Sequence, residues 1–402
     1  MTQTLSIQFA SAMSDDVSTH AAVDAVAREL AERLTGSADM VIVFATMHHA
    51  DRFALIHDRL VAALSPTAML ACTCEGVIGV RREIEKGPGL SVLAASLPGA
   101  VLEAFSYDQL DWPSVVGNPV ALRETVCQTN DGRDARAIIL IADPFSTPMI
   151  KLLPAFGQAL PGVPVVGGMA SGAAKAGQNH LMLNGDIATE GAVGLAISGD
   201  IDVQTTVSQG CRPIGRPLVI TRAKRHVVQE LGGRNALQVV QEMVKKLDPI
   251  DQKLVQGGGL QVGRVVNEYK GRFGPGDFLI RGLIGVDAEQ GYVAIGDPQT
   301  RVGQTVQFHV RDQHSAIEDF QLMLEAQKWH GEAEGALLFS CNGRGSKLFD
   351  KPDADAGLVH HALGPIPMAG FFAAGEIGPL AGDNYVHGQT ASLAVFRKPH
   401  AV

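Results

Sequence analysis

Basic clusters, long apolar runs and paired cysteines are all scarce in this 402-residue chain, and each scarcity removes a class of function. The formal charge is −9, and the densest basic runs are only Arg222-Ala-Lys224-Arg225 and Lys245-Lys246. A nucleic acid backbone needs a clustered basic footprint, so no nucleic-acid partner is expected, and both short runs read as solvated faces. No stretch reaches the roughly 18 consecutive apolar residues of a membrane span. The first residues, MTQTLSIQFASAMSDDV, lack the basic start and sustained apolar core of a secretory signal. The five cysteines (Cys72, Cys74, Cys127, Cys211 and Cys341) are odd in number and scattered, which fits reduced thiols better than a disulfide framework. A soluble, cytoplasmic protein with no membrane contact is expected.

Signatures of several chemistries are missing as well. No G-x-S-x-G elbow and no H-E-x-x-H occur. The glycine-rich run Gly257 to Gly263 is not followed by Lys-Ser/Thr, so it reads as a turn and not a phosphate loop. Cys72-Thr-Cys74 lacks the spacing and second ligand pair of a zinc site, and core or turn packing is the simpler reading. His48-His49 and His360-His361 are adjacent pairs that cannot face one metal from a helix, and both read as surface. No metal site is expected.

What the chain does contain is one unit written three times. Copy one runs from VIVF (Val41 to Phe44) through an amphipathic stretch to LACTCEG, ending at Gly76. Copy two runs from IILI (Ile138 to Ile141) to VGGMASG, ending at Gly172, and copy three from ALLFS (Ala336 to Ser340) to AGFFAAG, ending at Gly375. Each is followed by a further apolar strand: Leu90 to Leu97, Ala192 to Ile197, and Ala391 to Phe396. A repeated strand–helix–strand unit implies parallel strands joined by right-handed crossovers. With 46% hydrophobic and 19% charged residues the chain is globular and long enough for two or three domains.

Local patterns fill in the rest. A helix is expected from about Asp15 to Leu34, burying Val23, Val26, Leu30 and Leu34. The first crossover helix starts near Asp51 and buries Phe53, Ile56, Leu60 and Leu64. Thr147-Pro148 reads as N-cap and first helical residue, Pro154 is a misfit that would kink or shorten that helix, and Asp353 with Asp355 suits an N-cap and first turn. GCRPIGRP reads as a punctuated turn before a strand LVITRA, and Asn235 opens a new helix after Gly232-Gly233. From Gly257 to Val310, short glycine-separated strands read as an antiparallel meander, followed by a Ser315/Glu318 capping box and a helix burying Ile317, Phe320 and Leu324. The fold class is therefore α/β, with repeated strand–helix–strand units forming mixed sheets flanked by helices and a meander in the C-terminal half. The domain boundary falls between about Arg225 and Asn235, giving 1–230 (two units) and 231–402 (meander plus third unit).

Phe339-Ser-Cys-Asn-Gly-Arg-Gly345, Ile366 to Pro379 and Asn384-Tyr-Val-His-Gly-Gln-Thr390 together resemble the C-terminal domain of the FIST family. The CTCEG turn, the strand AVGLAISGDI and GCRPIG resemble its N-terminal domain, so the resemblance covers roughly residues 35 to 400. It implies a bacterial, intracellular signal-transduction protein that senses a small ligand, with amino acids proposed, and signals to a partner such as a histidine kinase. A stand-alone subgroup of similar layout binds haem and senses nitric oxide; this chain has no Cys-x-x-Cys-His, so such a haem, haem b, would be held non-covalently.

Three stretches carry the candidate ligand-binding residues. Cys341-Asn342-Gly343-Arg344-Gly345 lies just past a strand of the parallel unit, where open α/β sheets bind ligands. Its glycine N–H groups suit an anion nest, and Arg344 suits a bidentate carboxylate clamp beside a reactive thiol. The alternative is a tight turn with a buried thiol and a structural ion pair. Gly375-Glu376 places a carboxylate where the other copies have Gly76-Val77 and Gly172-Ala173, able to receive a ligand's ammonium, orient His387, or sit satisfied at a loop edge. Asn384 and His387 form the third stretch; His387 reads as a hydrogen-bonding core residue or an axial haem ligand, with His180 as runner-up. An enzyme with Cys341 as nucleophile and His387 as base is a further alternative, but no catalytic residue is assigned and no enzymatic activity is expected.

Overall fold

The computed structural model describes residues 6–108, 112–129, 135–274 and 276–399. The first repeat comprises β1 (Gln8–Ser14), α1 (Thr19–Arg33), β2 (Met40–Thr46), α2 (Phe53–Leu64), β3 (Ala68–Cys74), a hairpin β4 (Val77–Ile78) and β5 (Glu83–Ile84), and β6 (Leu90–Ser96). The second follows the same order: β7 (Ala100–Tyr107), α3 (Trp112–Val116), α4 (Pro119–Val126), β8 (Ala135–Ala142), α5 (Met149–Ala159), β9 (Val165–Met169), a hairpin β10 (Leu181–Leu183) and β11 (Asp186–Ala188), and β12 (Ala192–Gly199). The third opens with β13 (Asp202–Gln209), and a long insertion then intervenes. That insertion holds β14 (Cys211–Lys224), β15 (Val227–Leu231), β16 (Arg234–Asn235), α6 (Ala236–Lys245), α7 (Pro249–Leu254), β17 (Leu260–Val265), β18 (Phe278–Asp287), β19 (Tyr292–Ile295) and β20 (Thr305–Arg311). The repeat resumes with α8 (Gln313–Gln327), β21 (Gly335–Cys341), α9 (Ala354–Leu363), β22 (Met368–Ala373), a hairpin β23 (Glu376–Leu380) and β24 (Asp383–His387), and β25 (Thr390–Arg397).

The three sheets have one topology: β1-β6-β2-β3-β10-β11, β7-β12-β8-β9-β23-β24 and β13-β25-β21-β22-β4-β5. In each, the crossover pair is parallel (β2/β3, β8/β9, β21/β22) and the closing strand returns antiparallel. The hairpins are exchanged in a cycle. The first repeat's hairpin completes the third sheet, the second's completes the first, and the third's completes the second. A short hairpin exposes its edges, so pairing it with a neighbouring repeat ties all three copies together. The inner faces meet in one apolar core where Phe44, Phe339 and Phe371 pack with centroids 4.9–6.0 Å apart. Each such buried ring stabilises the fold by about 1.5–3 kcal/mol.

Packing divides the described residues differently from the order of motifs. One compact unit takes Met1–Val207, Gln321–Val386 and Thr390–Val402, and so holds all three repeats, whereas the 230/231 boundary would part the third copy from the first two. The other unit takes Ser208–Phe320 and His387–Gln389. In it, β14, β20, β17, β18, β19 and β15 close into an antiparallel barrel, because β14 pairs with both β20 and β15. The expected meander strands are there, but the ring joins β17 to β20 and recruits the long β14 to shut it.

Local expectations fare unevenly, for physical reasons. α2 buries Phe53, Ile56, Leu60 and Leu64 as its spacing dictates. α1 starts at Thr19, where the Ser18 side chain caps Ala21 N–H. GCRPIGRP is not a turn: it forms the first half of β14, with a register shift between Ile214 and Leu218 absorbing the irregularity. α5 runs unbroken through Pro154, and Pro148 stands at its N-cap, since Thr147 Oγ1 donates instead to Gly191 O at 2.7 Å. Asp353 stands at the N-cap of α9 but accepts from Glu83 N–H at 2.6 Å and does not cap the helix. At α8, Asp312 accepts from Ser315 N–H and Oγ, taking the part expected of Ser315.

Candidate functional site

Polar side chains gather at the carboxyl ends of the third repeat's parallel strands. The register β21/β22 ends at Cys341↔Ala373, and β23 begins three residues later at Glu376, paired with Gly168 of β9. Glu376 is fully buried. Its Oε2 accepts from Thr390 N–H at 3.1 Å and Thr390 Oγ1 at 2.7 Å, and the Cys341 thiol is a further hydrogen-bonding neighbour. Burial pushes the Glu376 carboxyl up to about 8, against the opposing pull of those hydrogen bonds and the Arg344 charge. At neutral pH the folded protein therefore holds this group mainly as the neutral acid. Cys341 is buried, 6% exposed, and Asn342 and Gly343 beside it are half-buried.

Arg344 is not a clamp open to a ligand. It is buried and makes a bidentate pair with Asp355 of α9, Nε to Oδ2 at 2.8 Å and Nη2 to Oδ1 at 2.7 Å. Ser340 Oγ donates to the same Asp355 Oδ2 at 2.6 Å, and the guanidinium lies 5.1 Å from the Phe349 ring centroid. Arg344 Nη1 is buried without a hydrogen-bond partner. Glu83, from the hairpin lent by the first repeat, adds a second raised carboxyl. Burial first and the Asp355 charge next push it up to about 8, although its Oε1 accepts from Ala356 N–H at 2.8 Å.

The expected anion nest is filled by the protein itself. Ser346 N–H and Oγ donate to the Glu85 carboxylate at 2.6–2.9 Å. Gly345 has φ +55°, and a Cβ there would lie 2.6 Å from that carboxylate, so the turn needs glycine on two grounds. Gly343 N–H lies 3.4 Å from Cys341 Sγ, and Lys347 Nζ reaches Glu75 Oε1 at 2.7 Å and Asn342 O at 2.9 Å. Of the residues singled out in sequence, the structure brings Cys341, Arg344 and Glu376 into one network. Gly375 O accepts from Met169 N–H at 2.8 Å and serves the junction between β9 and β23.

The remaining candidates have other work. Asn384 pins β24 to the second repeat, accepting from Val165 N–H at 2.9 Å and donating to Val163 O at 3.1 Å. His387 ends β24 and is buried, 3% exposed. His180 is half-buried, 5.7 Å from the Phe53 ring centroid, and its Nδ1 is buried with no partner. A haem-ligating histidine has its second nitrogen oriented by an acceptor. As arranged, His180 Nδ1 lacks that acceptor. His49, expected at the surface, is fully buried with Nδ1 2.9 Å from Thr19 Oγ1, while His48 is exposed. Cys72 and Cys74 lie in the core of β3, their thiols pushed up by burial. Among the described residues no group of three or more His, Cys, Asp or Glu could hold a metal, and no helix is long and apolar enough to cross a membrane. Sequence reasoning missed Glu83, Glu85 and Thr390 and gave Asp355 to a helix start. Only the three-dimensional hairpin exchange brings Glu83 and Glu85 here.

Comparison with known proteins agrees with the motif reading. The FIST N domain matches residues 39–234 and the FIST C domain residues 236–379. An uncharacterised protein of Mycobacterium tuberculosis (strain ATCC 25618 / H37Rv) is 40% identical over 379 residues, covering 94% of this chain and 96% of its own. An uncharacterised protein of Mycobacterium bovis is similar to the same degree, with 95% of its own length covered. Among solved structures, cyanuric acid hydrolase from A. caulinodans aligns over 98% of this chain and all of its own at a TM-score of 0.33 and 9% identity, too distant to bear on function. The chain belongs to the FIST family, whose domains are associated with signal transduction and sensing.

Proposed function

We propose that this protein is a sensor for a small ligand bearing an ammonium group, such as an amino acid, received by Glu376 beside Cys341. The observation that carries this reading is the fully buried Glu376 carboxyl at the third repeat's strand ends, held near 8 by burial. A carboxyl poised in this way gains most from an incoming cation, because the cation restores the charge that burial suppresses. The ligand's ammonium takes the place of the proton, so binding at neutral pH releases a proton from Glu376. Entry is by the half-buried Asn342–Gly343 turn, and the Arg344–Asp355 pair holds the frame on which that turn moves. A coupling of roughly 1–3 kcal/mol between ligand and turn suffices to alter a partner such as a histidine kinase.

The test is a thermal-stability screen of amino acids and amines, followed by calorimetry of any hit in buffers of different ionisation enthalpy. A buffer-dependent enthalpy in the wild type that vanishes with Glu376→Gln is expected. An undiminished response in that variant would sink the assignment. An absorption spectrum recorded on protein made with added haem precursor guards against the other ligand class: a stoichiometric Soret band that shifts with nitric oxide replaces the amino-acid reading.

A second reading has one observation in its favour. The Cys341 thiol lies within hydrogen-bonding reach of the Glu376 carboxyl, which once ionised would serve as its base in place of the His387 expected from sequence. Prompt alkylation of Cys341 at neutral pH would favour that enzyme, whereas inertness in the folded state leaves the sensor.

A further inference from the structure

A cleft of about 560 Å³ lies wholly within the barrel unit, between α6 and the β14–β15 ladder, remote in sequence from the Cys341 network. Its floor is apolar: Leu218 and Leu231 come from the strands, and Val239, Met243 and Leu247 follow one another at four-residue spacing along α6 and just past it. α6 fully buries only Ala236 and Val240, which leaves this stripe partly covered. At its side Gly215 adopts φ +65°, and the Met243 side chain lies 3.1 Å from where a Cβ would stand. A bare backbone beside a flexible thioether is a wall that adapts to an occupant.

The rim has the opposite character. Arg216, Arg234 and Lys246 line it against a single carboxylate, Glu242. Arg234 Nη2 is paired with Glu242 Oε1 at 2.6 Å, and both partners are largely exposed. Surface pairs of this kind hold only weakly against solvent, so Arg234 exchanges partners readily. Arg216 and Lys246 are exposed. The volume falls within the roughly 300–1,000 Å³ of small-molecule sites, which are mostly apolar with a few fixed polar groups. Charge complementarity selects the headgroup, and the apolar floor selects the body.

We propose that this cleft binds an amphipathic anion: an apolar chain or ring ending in a carboxylate, of the medium-chain fatty-acid class. The chain lies on Val239, Met243 and Leu247, and the carboxylate meets Arg216 and Lys246. It is a second ligand site, independent of the one at Glu376.

The test uses full-length protein with an anilinonaphthalene sulfonate dye as fluorescent probe and decanoate as competitor. Decanoate is expected to displace the dye, and decanol, of equal length but uncharged, to compete about tenfold more weakly. Arg216→Ala/Lys246→Ala, two exposed positions whose loss leaves the melting temperature unchanged, is expected to weaken decanoate about tenfold or more. Glu242→Gln, which frees Arg234, is expected to tighten it. Failure of decanoate to displace the dye, equal competition by decanol, or wild-type affinity in the double variant would each overturn the proposal. Binding of an acidic peptide in place of decanoate would assign the cleft to a protein partner and overturn it likewise.

Discussion

Asp143 and Glu376 are both completely buried carboxyls at strand ends of the three-repeat unit, and they are held in opposite ways. Asp143 closes the second repeat's turn: Oδ1 accepts from Asn179 Nδ2 at 3.0 Å, and Oδ2 accepts from Phe145 N–H, Ser146 N–H and Ser146 Oγ at 2.7–3.0 Å. Glu376 accepts two bonds from one residue, Thr390, and has a weakly donating thiol for company. Where donors to a buried carboxyl are few, burial prevails and the group holds its proton, as at Glu376. Asp143, just past β8, is thus a structural anchor, whereas Glu376, at the start of β23, is a group ready to change state. Donor supply, more than burial, separates them.

Breaking the third repeat's frame should have the largest effect. Arg344→Ala leaves Asp355 buried and uncompensated, and about 3–5 kcal/mol of stability is expected to go, read from urea denaturation. Replacing both partners by apolar residues, Arg344→Met with Asp355→Leu, should recover most of it, because the cost lies in the orphaned charge. A double variant no more stable than Arg344→Ala would mean that the pair does more than fill space. The second repeat comes next. Asp143→Ala orphans Asn179 Nδ2 and two backbone N–H groups and should cost roughly 1–3 kcal/mol. Glu376→Gln, tested beside it at pH 7, should be close to neutral, since the amide mimics the acid already present. Equal losses in the two would erase the contrast between them.

How much of this was legible beforehand differs by level. The three copies and their parallel crossovers could be read because each apolar strand carries its own pattern, and α2 shows the same locality in Phe53, Ile56, Leu60 and Leu64. The hairpin exchange could not be read, since two-residue strands such as Val77–Ile78 have no periodicity and their partners lie in another repeat. The site inherits that asymmetry. Cys341, Arg344 and Glu376 stood out as departures from the repeat, but Arg344's partner sat eleven residues on in a helix, where Asp355 looked like a first-turn acid. Glu85, which fills the nest, is 261 residues away from Ser346 and arrives only through the exchange. Repeat 2 also misled the alignment of copies. Its hairpin starts at Leu181, so the structural counterpart of Glu376 is Leu181 and not Ala173.

The last test sharpens the comparison through pH. Glu376 and Glu83 both stand at about 8 in the folded protein and near 4.5 when unfolded. Between these values the folded state binds more protons than the unfolded one, so stability falls as pH rises. The contribution is fully present below about 4.5, declines by at most about 1.4 kcal/mol per pH unit for each group, and is gone above about 8. Most surface carboxylates paired with cations work in the opposite sense, so the trend must be taken as a difference between variants. Glu376→Gln should flatten the slope of unfolding free energy between pH 5 and 8 relative to wild type, and Glu83→Gln should flatten it again. Urea titrations at three pH values suffice to measure it. A slope unchanged in Glu376→Gln would mean that the carboxyl is ionised throughout, as one supplied with donors would be, and the distinction drawn from Asp143 would fail at its source.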